Sequence, residues 1–258
     1  MQTKTAKFNF GWGKTWTFGF IAAGLTFLAL SVAIYIFLPS LKLVALLPFL
    51  ISLNLFAGDA ILRFVNRMTS ELVLPFVDLF ASDHDLILDA GCGHGRTSIA
   101  LSKIARKGRI VAVDRFDASY IENGGKTLLE ANLKTANITD RVQVVQGDVT
   151  SLKFGDNTFD TLVSSYMMDH LGEKKKPALQ ELNRVLKPGG KFLLVVIVRN
   201  YATFSIASFL SLVAMGTKES WRELFSQTNF RLLEEGDING GAYFLVEKPK
   251  PLNLKEEG

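Results

Sequence analysis

The chain has 258 residues, of which 29 are Lys or Arg and 25 Asp or Glu, giving a net charge of +4 and a sequence pI near 9.1. That imbalance is mild and no basic patch is interleaved with aromatics, so nucleic acid is excluded as the expected partner. A single cysteine rules out an intrachain disulfide, and with three histidines it offers no zinc-ligand spacing, so no metal site is expected.

The first element is apolar. Residues 15–62 carry only two charges, Lys42 and Asp59, and residues 15–38 carry none. A run of 24 uncharged residues suffices, at about 1.5 Å per residue, to cross a hydrocarbon core of about 30 Å. Pro39 and Ser40 break it, and residues 43–62 supply a second apolar stretch interrupted by Pro48, Asn54 and Asp59. The pattern predicts two transmembrane helices joined by a very short turn, a membrane anchor over residues 1–66. A re-entrant or surface-lying course is the alternative for the second. A cleavable signal peptide has an apolar region of only about 7–15 residues followed by small residues, and residues 39–42 offer no such site. Lys4, Lys7 and Lys14 precede the hairpin and Arg63 and Arg67 follow it, which puts both ends on the cytoplasmic side with the lipid bilayer as partner. Trp12, Trp16 and Tyr35 fall at interfacial positions, and Asp59 and Arg63 are spaced to pair.

The next element is the most informative. Residues 86–101 read LILDAGCGHGRTSIAL: a buried strand ending in Asp89, three alternate glycines (Gly91, Gly93, Gly95), then a helical pattern from Arg96. Alternate glycines permit positive φ and close approach of a ligand, and a helix N-terminus offers it unpaired N–H groups. The dinucleotide fingerprint G-x-G-x-x-G needs a third glycine where Arg96 stands. The segment instead resembles the cofactor loop of class I S-adenosylmethionine (SAM) methyltransferases, a hydrophobic strand followed by D-x-G-x-G-x-G.

Downstream strands agree with that resemblance. They are IVAVD to Asp114, VQVVQGD to Asp148, FDTLVSS over 159–165, and LKPGGKFLLVVIV over 186–198, a helix end, turn and strand. Helical patterns over 98–105, 118–136 and 177–186 alternate with them, with Asp117 as N-cap of the second, and residues 231–248 read as a terminal hairpin. Asp160 and the Lys187, Pro188, Gly189, Gly190 run read as structural and turn residues. The resemblance implies a Rossmann-like α/β domain over residues 67–248, with a seven-stranded, mostly parallel sheet whose last strand is antiparallel. Residues 249–258 read as a flexible tail.

The resemblance also implies S-adenosylmethionine as cofactor. Its binding set would be Asp89, Gly91, Cys92, Gly93 and Gly95 at the turn, Asp114 and Arg115 after the second strand, Asp148 and Val149 after the third, and Ser164 and Ser165 ending the fourth. Asp114 would accept the ribose hydroxyls and Asp148 would face the adenine. Asp89 reads equally as a local backbone cap, and Cys92 as a small residue that fits the turn. The methyl acceptor would lie beyond the fourth and fifth strands, which makes Tyr166, Asp169 and His170 the candidate catalytic residues, with Met167 and Met168 as core or pocket wall. Residues 201–216 are uncharged and read as a sheet-covering helix, an acceptor lid or a membrane-dipping helix.

Together these features predict a membrane-anchored SAM-dependent methyltransferase of a lipophilic small molecule: a phospholipid, a quinone or its precursor, a sterol-like or other lipid. The alternatives are a tethered methyltransferase of a soluble metabolite or protein, and a SAM-binding protein without turnover or a nicotinamide oxidoreductase.

Overall fold

The computed structural model describes residues 8–10, 14–65, 71–117, 125–199, 216–239 and 241–251. Several expectations therefore lie outside the described residues: those for Lys4, Lys7, Trp12 and Arg67, the start of a helix at Ala118, nearly all of 201–216, and most of the tail.

Two apolar helices come first, α1 (Lys14–Phe37) and α2 (Leu46–Ala60), packed side by side. Their contact is made by small residues. A side chain on Gly24 would begin 2.7 Å from the Phe56 ring, and the buried Ser31 hydroxyl donates to the Ala45 carbonyl at 2.8 Å. Asp59 accepts from Arg63 one turn later at 2.7 Å. The expectation of two spanning helices is corrected here. Among the described residues one helix, α1, is long and apolar enough to cross a membrane, whereas α2 has 15 residues, about 22 Å at 1.5 Å each. The turn consumes the difference: Pro39–Leu41 coils tightly, and Val44 and Leu46 bond back to Leu41 and Leu43 before regular helix begins.

Seven strands form one sheet: β1 (Leu86–Ala90), β2 (Arg109–Asp114), β3 (Val142–Gln146), β4 (Phe159–Ser165), β5 (Leu186–Val196), β6 (Arg231–Ile238) and β7 (Gly241–Glu247). The order is β3-β2-β1-β4-β5-β7-β6, with β1 to β5 parallel and β7 antiparallel to both neighbours, as the sequence predicts. The helices are α3 (Arg96–Ile104), α4 (Lys126–Ala136), α5 (Lys175–Val185) and α6 (Lys218–Gln227). Alternation along each strand feeds two cores. Ile87, Ile110 and Val163 pack with Ile99 of α3 and Leu129 and Leu133 of α4. Leu88, Val111 and Leu162 pack on the other face with Leu179 and Leu182 of α5 and Trp221 of α6. The Lys187–Gly190 run bulges out of register opposite Asp160, which accepts from Lys187 Nζ at 2.5 Å and Leu86 N–H at 2.9 Å. Both segments are structural. Strand order reverses at β1, so the crevice for a ligand opens above the carboxyl ends of β1 and β4.

Candidate functional site

At the end of β1 the chain turns sharply. Gly91 and Cys92 both donate to the Val113 carbonyl, at 2.8 and 3.0 Å, and Gly95 donates to Cys92. Gly91 and Gly95 have φ of +79° and +83°, and a side chain on Gly95 would strike Leu129 of α4 at 2.5 Å. Only glycine serves at these two positions. Asp114, ending β2, holds the turn from outside: its Oδ2 accepts from Gly93 N–H at 2.9 Å and its Oδ1 from Phe116 N–H at 2.8 Å. Both oxygens retain a free lone pair for a ligand hydroxyl.

Asp89 lies fully buried beneath the turn. Ser98 of α3 donates to its Oδ2 at 2.6 Å, while Oδ1 has no partner. Burial pushes this carboxyl up to about 7, against the pull of the Ser98 bond. Burial likewise raises the Cys92 thiol well above its ordinary value and makes it inert packing. His94 is pushed down to about 4, by burial first and the Arg96 charge second, so its imidazole is neutral at physiological pH. Its buried Nε2 has no partner.

Asp148 stands at the rim, where its Oδ1 accepts from Thr150 N–H and Oγ1 at 2.9 and 2.7 Å. Those bonds hold its carboxyl below the usual range. Arg115 is exposed, pairs with Asp117 and approaches Asp148 to 3.8 Å. Asp117 is thus engaged by Arg115; the position it was expected to cap, Ala118, lies outside the described residues, and α4 is described from Lys126 with Gly125 as its N-cap. Val149 is buried beside Asp148 in the core.

On the β4 side the hydroxyls of Ser164 and Ser165 and the Oδ1 of Asp169 are buried without partners, whereas the Tyr166 hydroxyl lies beside Asn239. Tyr166 has φ of +56° and is pinned by its N–H donating to the Val195 carbonyl at 2.8 Å. Burial raises its phenol pKa, and the Arg96 charge opposes that. Burial also raises Asp169, with the neighbouring His170 pulling the other way. The Asp169 side chain is 8% exposed and that of His170 54%, with 3.9 Å between their charged atoms. The enclosed acid–base group is therefore the carboxylate. Met168 is core and Met167 packs against it.

Sequence reasoning missed Ser98, His94 as a buried imidazole, and Asn132 of α4, whose Nδ2 donates to the His94 carbonyl at 2.9 Å. A hydroxyl in the first turn of the helix after the glycines was a usable signal for Ser98. Nothing local marks Asn132. Orphaned carboxylate oxygen, left-handed glycines and a strand-end acid together suit a ligand with a cationic amine and a diol.

Residues 88–194 match the family model described as "Methyltransferase domain". Over those residues the chain resembles a methyltransferase domain. The chain is similar to the ubiquinone/menaquinone biosynthesis C-methyltransferase UbiE of Haemophilus ducreyi, 30% identical over 149 residues that span 54% of this chain and 55% of that protein. It is similar also to the demethylmenaquinone methyltransferase of Staphylococcus aureus, 38% identical over 104 residues, 40% of this chain and 39% of that one. The chain thus spans about half the length or less of these curated relatives. A SAM-dependent methyltransferase of Methanosarcina mazei, 17% identical, superposes with a TM-score of 0.58 over 69% of this chain and 99% of that one, a likeness of fold. The glycine turn and Asp89, Asp114, Asp148, Ser164, Ser165, Tyr166, Asp169 and His170 all fall inside the matched methyltransferase domain.

Proposed function

We propose that the chain is an S-adenosylmethionine-dependent methyltransferase, held at a membrane by its N-terminal hairpin, whose acceptor is a lipophilic ring compound of the quinone type. The observation that carries this reading is the line of partnerless polar atoms on both sides of the crevice. Asp89 Oδ1 lies on the glycine side, and Ser164, Ser165 and Asp169 on the other. Leaving a buried polar group unsatisfied costs about 1–3 kcal/mol, so their number points to ligands that satisfy them.

Asp89 would face the cofactor's amine, the turn from Gly91 through Cys92 and Gly93 to Gly95 its methionine end, and Asp114 its ribose. Arg115, Asp148 and Val149 would border the adenine, with Ser164 and Ser165 below the reacting end. The bound sulfonium supplies the activated methyl group. The chain's own work is alignment, exclusion of water, and proton handling at the acceptor. A ring hydroxyl hydrogen-bonded to Tyr166 would be oriented for transfer, and Asp169 Oδ1 would take its proton. His170, at the more open edge, is placed to tune that carboxylate.

Quinone chemistry is favoured because the relatives from Haemophilus ducreyi and Staphylococcus aureus are methyltransferases of ubiquinone and menaquinone synthesis. Membrane residence is favoured by the hairpin, whose Phe37, Leu43 and Leu47 face outward while Ser31 and Ser52 are buried inside, the arrangement expected in lipid. The basic residues at both hairpin ends favour a cytoplasmic side for the methyltransferase domain.

The test is incubation of the full chain with isotope-labelled SAM and a total lipid extract, followed by mass spectrometry. Label in a quinone-type lipid is the expected result. Label confined to water-soluble products would sink the acceptor assignment, and calorimetry giving binding of NAD but not of SAM would sink the cofactor assignment.

A further inference from the structure

The short segment ahead of α1 is docked on the methyltransferase domain at the cofactor turn. Asn9 is bound at both ends of its peptide by one side chain. Its N–H donates to Asn132 Oδ1 at 2.9 Å, and its carbonyl accepts from Asn132 Nδ2 at 2.8 Å. The second hydrogen of Nδ2 goes to the carbonyl of His94, inside the glycine turn, at 2.9 Å. Asn132 is 2% exposed, and exchanging its oxygen and nitrogen would break all three bonds, so the amide has a single orientation. Phe10 is buried in the same core cluster as Ile99 and Leu129, with the Arg96 guanidinium 5.8 Å from its ring centre, and Phe8 stacks on it at 5.5 Å. Arg96 is the first residue of α3, and Leu129 is the side chain that abuts Gly95. One amide and one ring therefore join three parts distant in sequence: the pre-anchor segment, the cofactor turn and α4.

We propose that Asn132 is a positioning residue for the cofactor site and that Phe8–Asn9–Phe10 is its latch. Seating the latch holds the His94 carbonyl and the N-terminus of α3 in binding geometry, so the cofactor turn is shaped partly by the chain that leads into the membrane helix. The proposal rests on the SAM-site reading above. Because α1 begins four residues after Phe10, the latch is the direct covalent continuation of the anchor. Latch seating and cofactor occupancy must then favour each other by one common factor.

The experiment uses the full chain in lipid nanodiscs, wild type against Asn132→Asp and Phe10→Ala. Asn132→Asp keeps the shape and removes both donations, and Phe10→Ala empties the ring's place. SAM affinity is measured by calorimetry, and trypsin cleavage at Lys4 and Lys7 is timed with and without saturating SAM. Each variant should bind SAM about tenfold more weakly, and SAM should slow wild-type cleavage at these lysines by a similar factor, since coupling is reciprocal. Cleavage rates indifferent to SAM would overturn the latch, as would variants that melt earlier yet keep wild-type SAM affinity. A wild-type chain that binds no SAM would instead overturn the underlying cofactor reading, and the latch with it.

Discussion

The hairpin and the methyltransferase domain are built from the same apolar residue types, turned in opposite directions. In the domain Ile87, Leu88, Leu162, Phe192 and Phe244 are wholly buried, whereas in the hairpin Leu43 is 89% and Phe37 77% exposed. Inside the hairpin the buried positions are small: Ser31 and Ser52 are enclosed, and Gly24 makes the helix contact. In water the apolar residues must find one another, and strand alternation then dictates which face each one joins. In lipid that drive vanishes, and close approach of small residues decides the pairing. On the proposed membrane reading one composition serves two solvents, and outward-facing apolar side chains over small buried ones set the hairpin apart.

The strongest way to break this contrast is a matched pair of truncations. Leu88→Ala should destabilise the domain by about 2–5 kcal/mol, whereas Leu43→Ala should change stability by less than about 0.5 kcal/mol, both read from denaturant melts in nanodiscs. Equal losses would show that the hairpin is packed like a water-soluble core.

The second test concerns Asp89, a kind of buried acid found, among the described residues, only in the domain. Its folded carboxyl is raised to about 7 from 3.8, so between those values the folded state keeps a proton that the unfolded chain gives up. Stability therefore falls as pH rises through that window, by up to about 1.4 kcal/mol per pH unit, and levels off above it. His94 works oppositely. Lowered to about 4 from 6.5, it takes stability away as pH falls through that interval. The difference between wild type and Asp89→Asn isolates the Asp89 slope, and a pH-independent difference would refute the buried-acid assignment.

Next in size, Asp114→Ala should weaken SAM binding by about 2 kcal/mol, because it removes both the proposed ribose acceptor and the group holding Gly93 N–H. Unchanged affinity in calorimetry would remove Asp114 from the site. A smaller loss than that of Asp114→Ala is expected at the helix contact of the hairpin. Gly24→Leu should separate α1 from α2 at a cost of about 1 kcal/mol, seen as reduced crosslinking between cysteines placed on the two helices. Crosslinking at the wild-type level would mean that Phe56 swings aside freely.

Much of the domain was legible beforehand. Alternating glycines after a buried strand, acids at strand ends and a closing hairpin are local patterns, set by backbone φ and by the side-chain period of a strand. They located the turn, Asp114, Asp148 and the β4 end within a residue or two. The hairpin was legible as apolar but not in its lengths, because the tight turns over residues 39–46 shorten α2 and leave one helix of spanning length.

The sequence by itself determined the α/β architecture, the place of the cofactor turn and the presence of an apolar entry segment, since each follows from short-range periodicity and glycine conformations. Only the tertiary structure decided which groups meet: Ser98 on Asp89, Asn132 between Asn9 and His94, and Asp169 enclosed while His170 stands open. Those pairings join residues as far as 123 positions apart. No local pattern encodes them, because they arise when separate helices and strands pack against one shared sheet.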